Sequence, residues 1–299
     1  IYESRPNVTA DAAGLCFKSG NSTLLRGGKE ALQSNQKIGQ LMVKAGSHAS
    51  SEFPKHAIQV VPTSDREAIP ILLSQTESVD LCIPRGGEGL IRAVADCSHV
   101  PVIKHYKGIC SVYIDAEADP EMAVDVVINS KTQRPGVCNA METLLIDEAI
   151  APALLPQLAN ALKEADVELR VDDKAQRILG HSVKTANSED WDSEYLDLIC
   201  AIRVVDGING AIEHINEHGS GHTDSIVTKN ASTASRFQTE IDSSTVFWNV
   251  STRFTDGAQF GMGAEIGIST DKIGARGPMG LTELTSYKWL GTGNGLIRK

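Results

Sequence analysis

At 299 residues and 32.0 kDa, with 41% hydrophobic and 22% charged residues, the chain is long enough for about two packed domains and too apolar for a disordered protein. Its 28 Lys and Arg against 38 Asp and Glu leave a formal charge of −10. That balance argues against broad binding to nucleic acid or an anionic membrane, yet admits a small anionic substrate held by local arginines.

Residues 23–25 read as a strand followed by a Gly27-Gly28 turn, and Ala31, Ile38, Leu41, Met42 and Ala45 then recur at helical spacing. Further strands are expected at 57–61, 79–83, 100–103 and 112–114. Helices fit 121–128, 151–164 and 209–217, with strands near 144–146, 202–205 and 225–227. A helix at 231–241 and a strand at 245–248 complete the alternation. Repeated strand-then-helix predicts open, mostly parallel α/β sheets with helices on their faces. Two segments break the rhythm. Residues 132–138 form a Pro-Gly turn carrying Arg134 and Cys138, and residues 249–280 hold seven glycines with almost no periodicity. A connection that long is rarely idle in a compact domain, and such loops line sites.

Six scattered cysteines (Cys16, Cys82, Cys97, Cys110, Cys138 and Cys200) show no CxxC pair, and the eight histidines show no HxH or HExxH spacing. Reduced thiols in a cytoplasmic protein are therefore expected, and no metal centre. No apolar run approaches the ~20 residues that span a bilayer, and the first residues show no basic-then-apolar signal pattern. Cys138 stands first among candidate nucleophiles, because it follows a turn and has a cation four residues before it. A half-buried loop thiol reads the same way. Two strand–turn–helix segments can cradle a phosphate: Arg26-Gly27-Gly28-Lys29, and Arg85-Gly86-Gly87 at the start of a helix. Either also reads as a tight turn. His222 and Asp224 lie between a helix and a strand, and Arg253, Asp256 and Arg276 bring charge to the glycine-rich stretch. A solvated loop reads the same.

Together, Tyr2-Glu3-Ser4-Arg5-Pro6-Asn7, Leu25 to Glu30, Ile83 to Gly87, Lys131 to Pro135, Ser251 to Gly257 and Ala275 to Gly280 resemble glutamate-5-semialdehyde dehydrogenase, also called γ-glutamyl phosphate reductase. This is a branch of the aldehyde dehydrogenase superfamily. The resemblance implies an aldehyde-dehydrogenase-like fold of two open α/β domains and a C-terminal oligomerisation segment. Residues 1–108 would bind the cofactor, 109–250 would carry catalysis, and 251–299 would return toward the cofactor side. The chain begins without Met inside the family's pattern, whose amino-terminal helices precede residue 1.

The implied reaction is the NADPH-dependent reduction of L-glutamyl 5-phosphate to L-glutamate 5-semialdehyde with release of phosphate. Cys138 would form a thioester, and its own N–H with the Asn7 side chain would stabilise the oxyanion. Arg26 and Lys29 occupy the family's ribose-binding Lys and Glu positions, so a 2′-phosphate and NADP(H) are expected. Glu194 matches the glutamate that holds the nicotinamide ribose. The general-base glutamate of hydrolytic aldehyde dehydrogenases has no counterpart in residues 103–108, which favours reduction over hydrolysis. For the substrate, Arg253 or Arg276 would take the α-carboxylate and Asp224, Asp256 or Glu142 the ammonium, with His222 beside them. The resemblance also implies a homo-oligomer when full length, residues 284–290 adding a strand to a partner, and association with a glutamate 5-kinase. The competing readings are a non-catalytic fragment, part of a bifunctional pyrroline-5-carboxylate synthase, and a hydrolytic semialdehyde dehydrogenase.

Overall fold

Proline limits the regularity of the first third of the chain. The computed structural model describes residues 1–298. It opens with helix α1 (Asn7–Lys18), strand β1 (Thr23–Leu25), helix α2 (Leu32–Ala49), strand β2 (Ile58–Val60) and helices α3 (Ala68–Leu73) and α4 (Glu88–Cys97). Strands β1 and β2 pair in parallel. The sheet continues through single bridges, Tyr2 to Arg85 and Cys82 to Val102, with the Tyr2 N–H donating to the Arg26 carbonyl. The strands expected at 79–83 and 100–103 shrink to these bridges because Pro84 and Pro101 lack the N–H a ladder needs.

Residues 110–248 build the large sheet. In order come β3 (Cys110–Ile114), α5 (Pro120–Thr132), β4 (Met141–Asp147), α6 (Ala151–Glu164), β5 (Glu168–Val171), α7 (Asp173–Leu179), β6 (Lys184–Thr185), β7 (Ile199–Val205), α8 (Gly207–His218), β8 (Thr223–Val227), α9 (Ala231–Glu240) and β9 (Thr245–Trp248). The seven strands are all parallel in the order β6-β5-β7-β4-β3-β8-β9. Strands β3, β4 and β8 are buried along their whole length, as helices on both faces require. On one face α6 buries Leu154, Leu155, Leu158 and Leu162 at helical spacing, and on the other Tyr113 stacks on Phe237. Side-chain caps fix three helix starts: Asp119 with Pro120 behind it for α5, Asp172 for α7 and Asn230 for α9.

Beyond residue 248 the glycine-rich stretch forms one 3-10 turn (Thr252–Phe254) and a short antiparallel pair, β10 (Gly267–Ser269) with β11 (Gly277–Met279). Ile266 and Met279 join Tyr2, Leu25 and Ile58 in one core, so this segment packs back on the first sheet. Residues 284–290 form no strand, and Tyr287 and Trp289 are 87% and 92% exposed. A strand needs a neighbour for its backbone donors, and among the described residues that segment pairs with no other strand. The β3, β4 and β8 strands begin at Cys110, Met141 and Thr223, so the residues just ahead of them gather at one edge of the large sheet.

Candidate active site

Cys138 lies between α5 and β4, half-buried, where the Pro-Gly turn delivers it to the amino edge of the large sheet. Gly108, just ahead of β3, presses against it. A Cβ at Gly108 would lie 1.9 Å from the Cys138 carbonyl oxygen, so the approach requires glycine. The buried Cys110 thiol donates to that same carbonyl at 3.2 Å. The Cys138 N–H makes no hydrogen bond to another residue among the described residues, which leaves it free for an oxyanion.

The setting of the thiol differs from the expected one. Burial pushes Cys138 up to about 11, the carboxylates of Glu194 and Glu265 add to the rise, and the nearby cation that opposes them is Arg85 rather than Arg134. Residues 103–108 hold no carboxylate, but other segments bring two to the thiol. Glu194 accepts the Gly108 N–H at 2.9 Å through Oε1, and Glu265 accepts the Gly257 N–H at 2.9 Å. Burial raises both glutamates above the ordinary carboxylate range. Arg253 is also close enough to feel the thiol, and it is oriented by a 2.8 Å bond from its Nε to the Gln133 side chain. Asp256 caps the Ala258 and Gln259 N–H groups with one oxygen and keeps the other.

Two histidines complete the surroundings. His105 and His222 meet edge-on with ring centroids 5.5 Å apart, and one donor atom from each lies within 4.8 Å of the Cys138 sulfur and of the other. His222 is fully buried, which pushes it down to about 3, and its Nε2 has no partner. His222 therefore sits with the thiol, not in a separate substrate clamp.

Several expected substrate contacts are already committed elsewhere. Glu142 is wholly buried, with Oε2 on Lys131 at 2.6 Å and Oε1 accepting the Leu196 N–H at 3.2 Å, so it anchors α5 to β4 and has no oxygen left for an ammonium. Asp224 is also fully buried, accepting the Ser111 N–H and the Ser243 hydroxyl, and burial raises it to about 6. Arg276 is taken by the Asp242 carboxylate and carbonyl. Asn7 stands exposed on the first turn of α1, with its amide donating to Asp11 at 3.0 Å instead of to a group at Cys138.

At the two glycine turns, Glu3 bridges both glycine pairs. Its carbonyl accepts the Gly28 N–H at 3.4 Å, and its carboxylate accepts the Gly87 N–H at 3.2 Å at the start of α4. A Cβ at Gly86 would strike that carboxylate at 2.7 Å. This helix terminus thus receives an anion, as a pyrophosphate site must, and the anion here is Glu3. Arg26 is buried, and its guanidinium donates to the Ser64 and Asp65 carbonyls, so it shapes the neighbouring loop. Lys29 is exposed with no ion pair among the described residues, and Arg66 lies near enough to depress Arg26.

Sequence reasoning missed His105, Glu265, Cys110 and Arg66. His105 belongs to the very segment read only for its lack of a carboxylate. Glu265 follows Gly261-Met262-Gly263-Ala264, where an isolated acid in a glycine-rich return was the available signal.

The profile of the aldehyde dehydrogenase family matches residues 7–193. The γ-glutamyl phosphate reductase of Geobacter metallireducens is 54% identical over 299 residues, covering all of this chain and 71% of that protein. The enzyme of the same name from Psychrobacter cryohalolentis is 53% identical over 307 residues, covering all of this chain and 70% of its own length. The crystal structure of γ-glutamyl phosphate reductase from Thermotoga maritima superposes with a TM-score of 0.97 at 47% identity, over all of this chain and 71% of the other. Matched by the family model over most of its length and 54% identical to a relative of which it spans 71%, the chain belongs to the γ-glutamyl phosphate reductases of the aldehyde dehydrogenase family.

Proposed function

We propose that the chain reduces L-glutamyl 5-phosphate to L-glutamate 5-semialdehyde with release of inorganic phosphate, the second step of proline biosynthesis, through a thioester on Cys138. The observation that carries this reading is the convergence of Cys138, Gly108 and Glu194 at the amino edge of the large sheet, in a chain similar along its whole length to enzymes of that name. Aldehyde dehydrogenases work with nicotinamide cofactors. NADP(H) is the form that Lys29 and Arg66 favour; the amino end of α4, where Glu3 now sits, would hold the pyrophosphate, and Glu194 would receive the nicotinamide ribose. Residues 1–108 then act as the cofactor unit, 109–250 as the catalytic unit and 251–299 as the return segment. A cytoplasmic homo-oligomer that works with a glutamate 5-kinase is the matching cellular context.

In this reading the Cys138 sulfur attacks the acyl carbon, the free Cys138 N–H receives the developing oxyanion, and the phosphate leaves toward Arg85. A proton must leave the thiol as the S–C bond forms; burial makes the neighbouring His105 and His222 imidazoles poor bases, so the departing phosphate takes it. Arg253 takes the α-carboxylate, and the free oxygen of Asp256 takes the ammonium. The bound cofactor supplies the hydride that reduces the thioester. The resulting thiohemiacetal collapses to aldehyde and regenerates the thiol.

Running the reaction backward tests this. Oxidation of pyrroline-5-carboxylate with NADP should require inorganic phosphate, and Cys138→Ser should abolish it. The carboxylate of Glu265 beside the thiol favours one alternative, a hydrolytic dehydrogenase in which that group activates water. Phosphate-independent turnover that disappears in Glu265→Gln would establish the alternative.

A further inference from the structure

We propose that His105, Cys138 and His222 form a binding site for Zn²⁺ whose occupation closes the nucleophile. The three residues come from separate stretches of chain, ahead of β3, β4 and β8, and adjacent strands of one rigid sheet bring them together. One ligand atom from each lies within 4.8 Å of the other two. Bond lengths of about 2.0–2.3 Å hold tetrahedral zinc donors roughly 3.3–3.8 Å apart, so a contraction of about 1 Å suffices. Rotation about the side-chain torsions of Cys138 and His105, both only half-buried, supplies it.

Hydrogen bonding leaves Nε2 of both imidazoles as the nitrogen free to bind an ion. The Thr223 hydroxyl donates to Thr255 at 2.9 Å, so its oxygen accepts from His222 Nδ1 at 2.8 Å. That bond fixes the proton on Nδ1 and leaves a lone pair on Nε2, an atom that is fully buried and has no partner. An unmatched buried acceptor is costly to a fold and calls for a ligand. His105 Nδ1 lies 3.0 Å from the Ile268 carbonyl, which can only accept, so here too the proton sits on Nδ1 and the lone pair on Nε2. Metal-bound histidines are oriented by this same pattern of outer contacts.

The donor set selects the ion. Two imidazoles and a thiolate suit zinc and reject the hard cations calcium and magnesium, which take oxygen ligands. Glu194 and Glu265 place negative charge at the thiol, which favours a dication, while Arg85 opposes it. On binding, the Cys138 S–H bond breaks, its proton leaves to solvent and an S–Zn bond forms, with no change of oxidation state. Three protein ligands leave a fourth position for water. A sulfur held this way cannot attack a carbonyl, so the bound ion is an inhibitor that a chelator removes.

The site does not rest on the proposed reaction, and its test has a readout independent of turnover. Metal-free protein is titrated with Co²⁺, a spectroscopic stand-in, and Zn²⁺ is then added in competition. The expected result is one equivalent of tetrahedral Co²⁺ showing a thiolate charge-transfer band, displaced by one equivalent of Zn²⁺. Cys138→Ser should lose the band, and His105→Ala and His222→Ala should each weaken binding at least tenfold, with circular dichroism confirming that each variant folds. Zn²⁺ should also protect Cys138 from alkylation until EDTA is added. A Co²⁺ complex without the thiolate band, or binding unchanged in folded His105→Ala and His222→Ala, would overturn the proposal. Charge-transfer absorption in a protein without phosphate-dependent reductase activity would keep the metal site and reject the reaction, and the converse would reject the site alone.

Discussion

A thiol pushed up to about 11 is almost entirely protonated at neutral pH, and its reactivity should follow its ionised fraction. Alkylation of Cys138 by iodoacetamide, followed by mass spectrometry of its peptide, is expected to accelerate about tenfold per pH unit from 7 to 10. A plateau below pH 8 would mean that the carboxylates and burial act less on the sulfur than their placement implies. Glu3 makes a second prediction at this scale. Its carboxylate stands at the amino end of α4, where the proposed pyrophosphate site lies. Glu3→Gln removes that competing charge and should tighten NADP(H) several-fold, read from quenching of protein fluorescence. An anion at a helix terminus is worth roughly 0.3–1 kcal/mol, which sets that scale.

Between elements, the decisive contacts are backbone approaches and one buried pair. The Gly108 backbone lies against that of Cys138 too closely for any side chain. Gly108→Ala should destabilise the protein by more than ~3 kcal/mol, because a backbone carbonyl cannot yield as a side chain can. It should also abolish activity under conditions where the protein remains folded. Lys131 on α5 and Glu142 on β4 are both wholly buried and meet at 2.6 Å. Removing one partner strands a charge, so Lys131→Met should cost ~3–5 kcal/mol in urea unfolding, and the double change with Glu142→Leu should recover most of it.

For the molecule as a whole, stability in acid has a built-in weakness. His214 on α8 is buried against Trp191 and accepts from Arg203 at 2.8 Å, and burial with the Arg203 charge pushes it down to about 3. The folded chain therefore leaves His214 unprotonated where the unfolded chain takes up a proton. Its contribution is whole above pH 6.5 and is lost as pH falls toward 3, at about 1.4 kcal/mol per pH unit. Urea unfolding measured from pH 7 to 4 should show that slope, and His214→Gln should flatten it by about one proton.

The alternation of apolar runs was enough to place β1, α6 and β9 at their observed bounds, because helix and strand periods are local properties of the chain. The β5 strand escaped notice because it is only four residues long, although Glu168 and Arg170 alternate with the buried Leu169 and Val171. The exposed turn that carries Cys138 and the glycine turns were legible for a related reason: a sharp turn and a close backbone approach leave marks in neighbouring residues. The roles of Glu142, Asp224 and Arg276 were not, since a charge in sequence looks the same whether it meets substrate or a buried partner. The sequence by itself determined the fold class and the family, and it singled out Cys138 as the candidate nucleophile. Only the tertiary structure decided that Glu142 answers to Lys131, that Glu3 holds the helix terminus, and that His105 and His222 share a corner with the sulfur. Those outcomes depend on which distant stretches the parallel strands bring to one edge, and no local spacing records that.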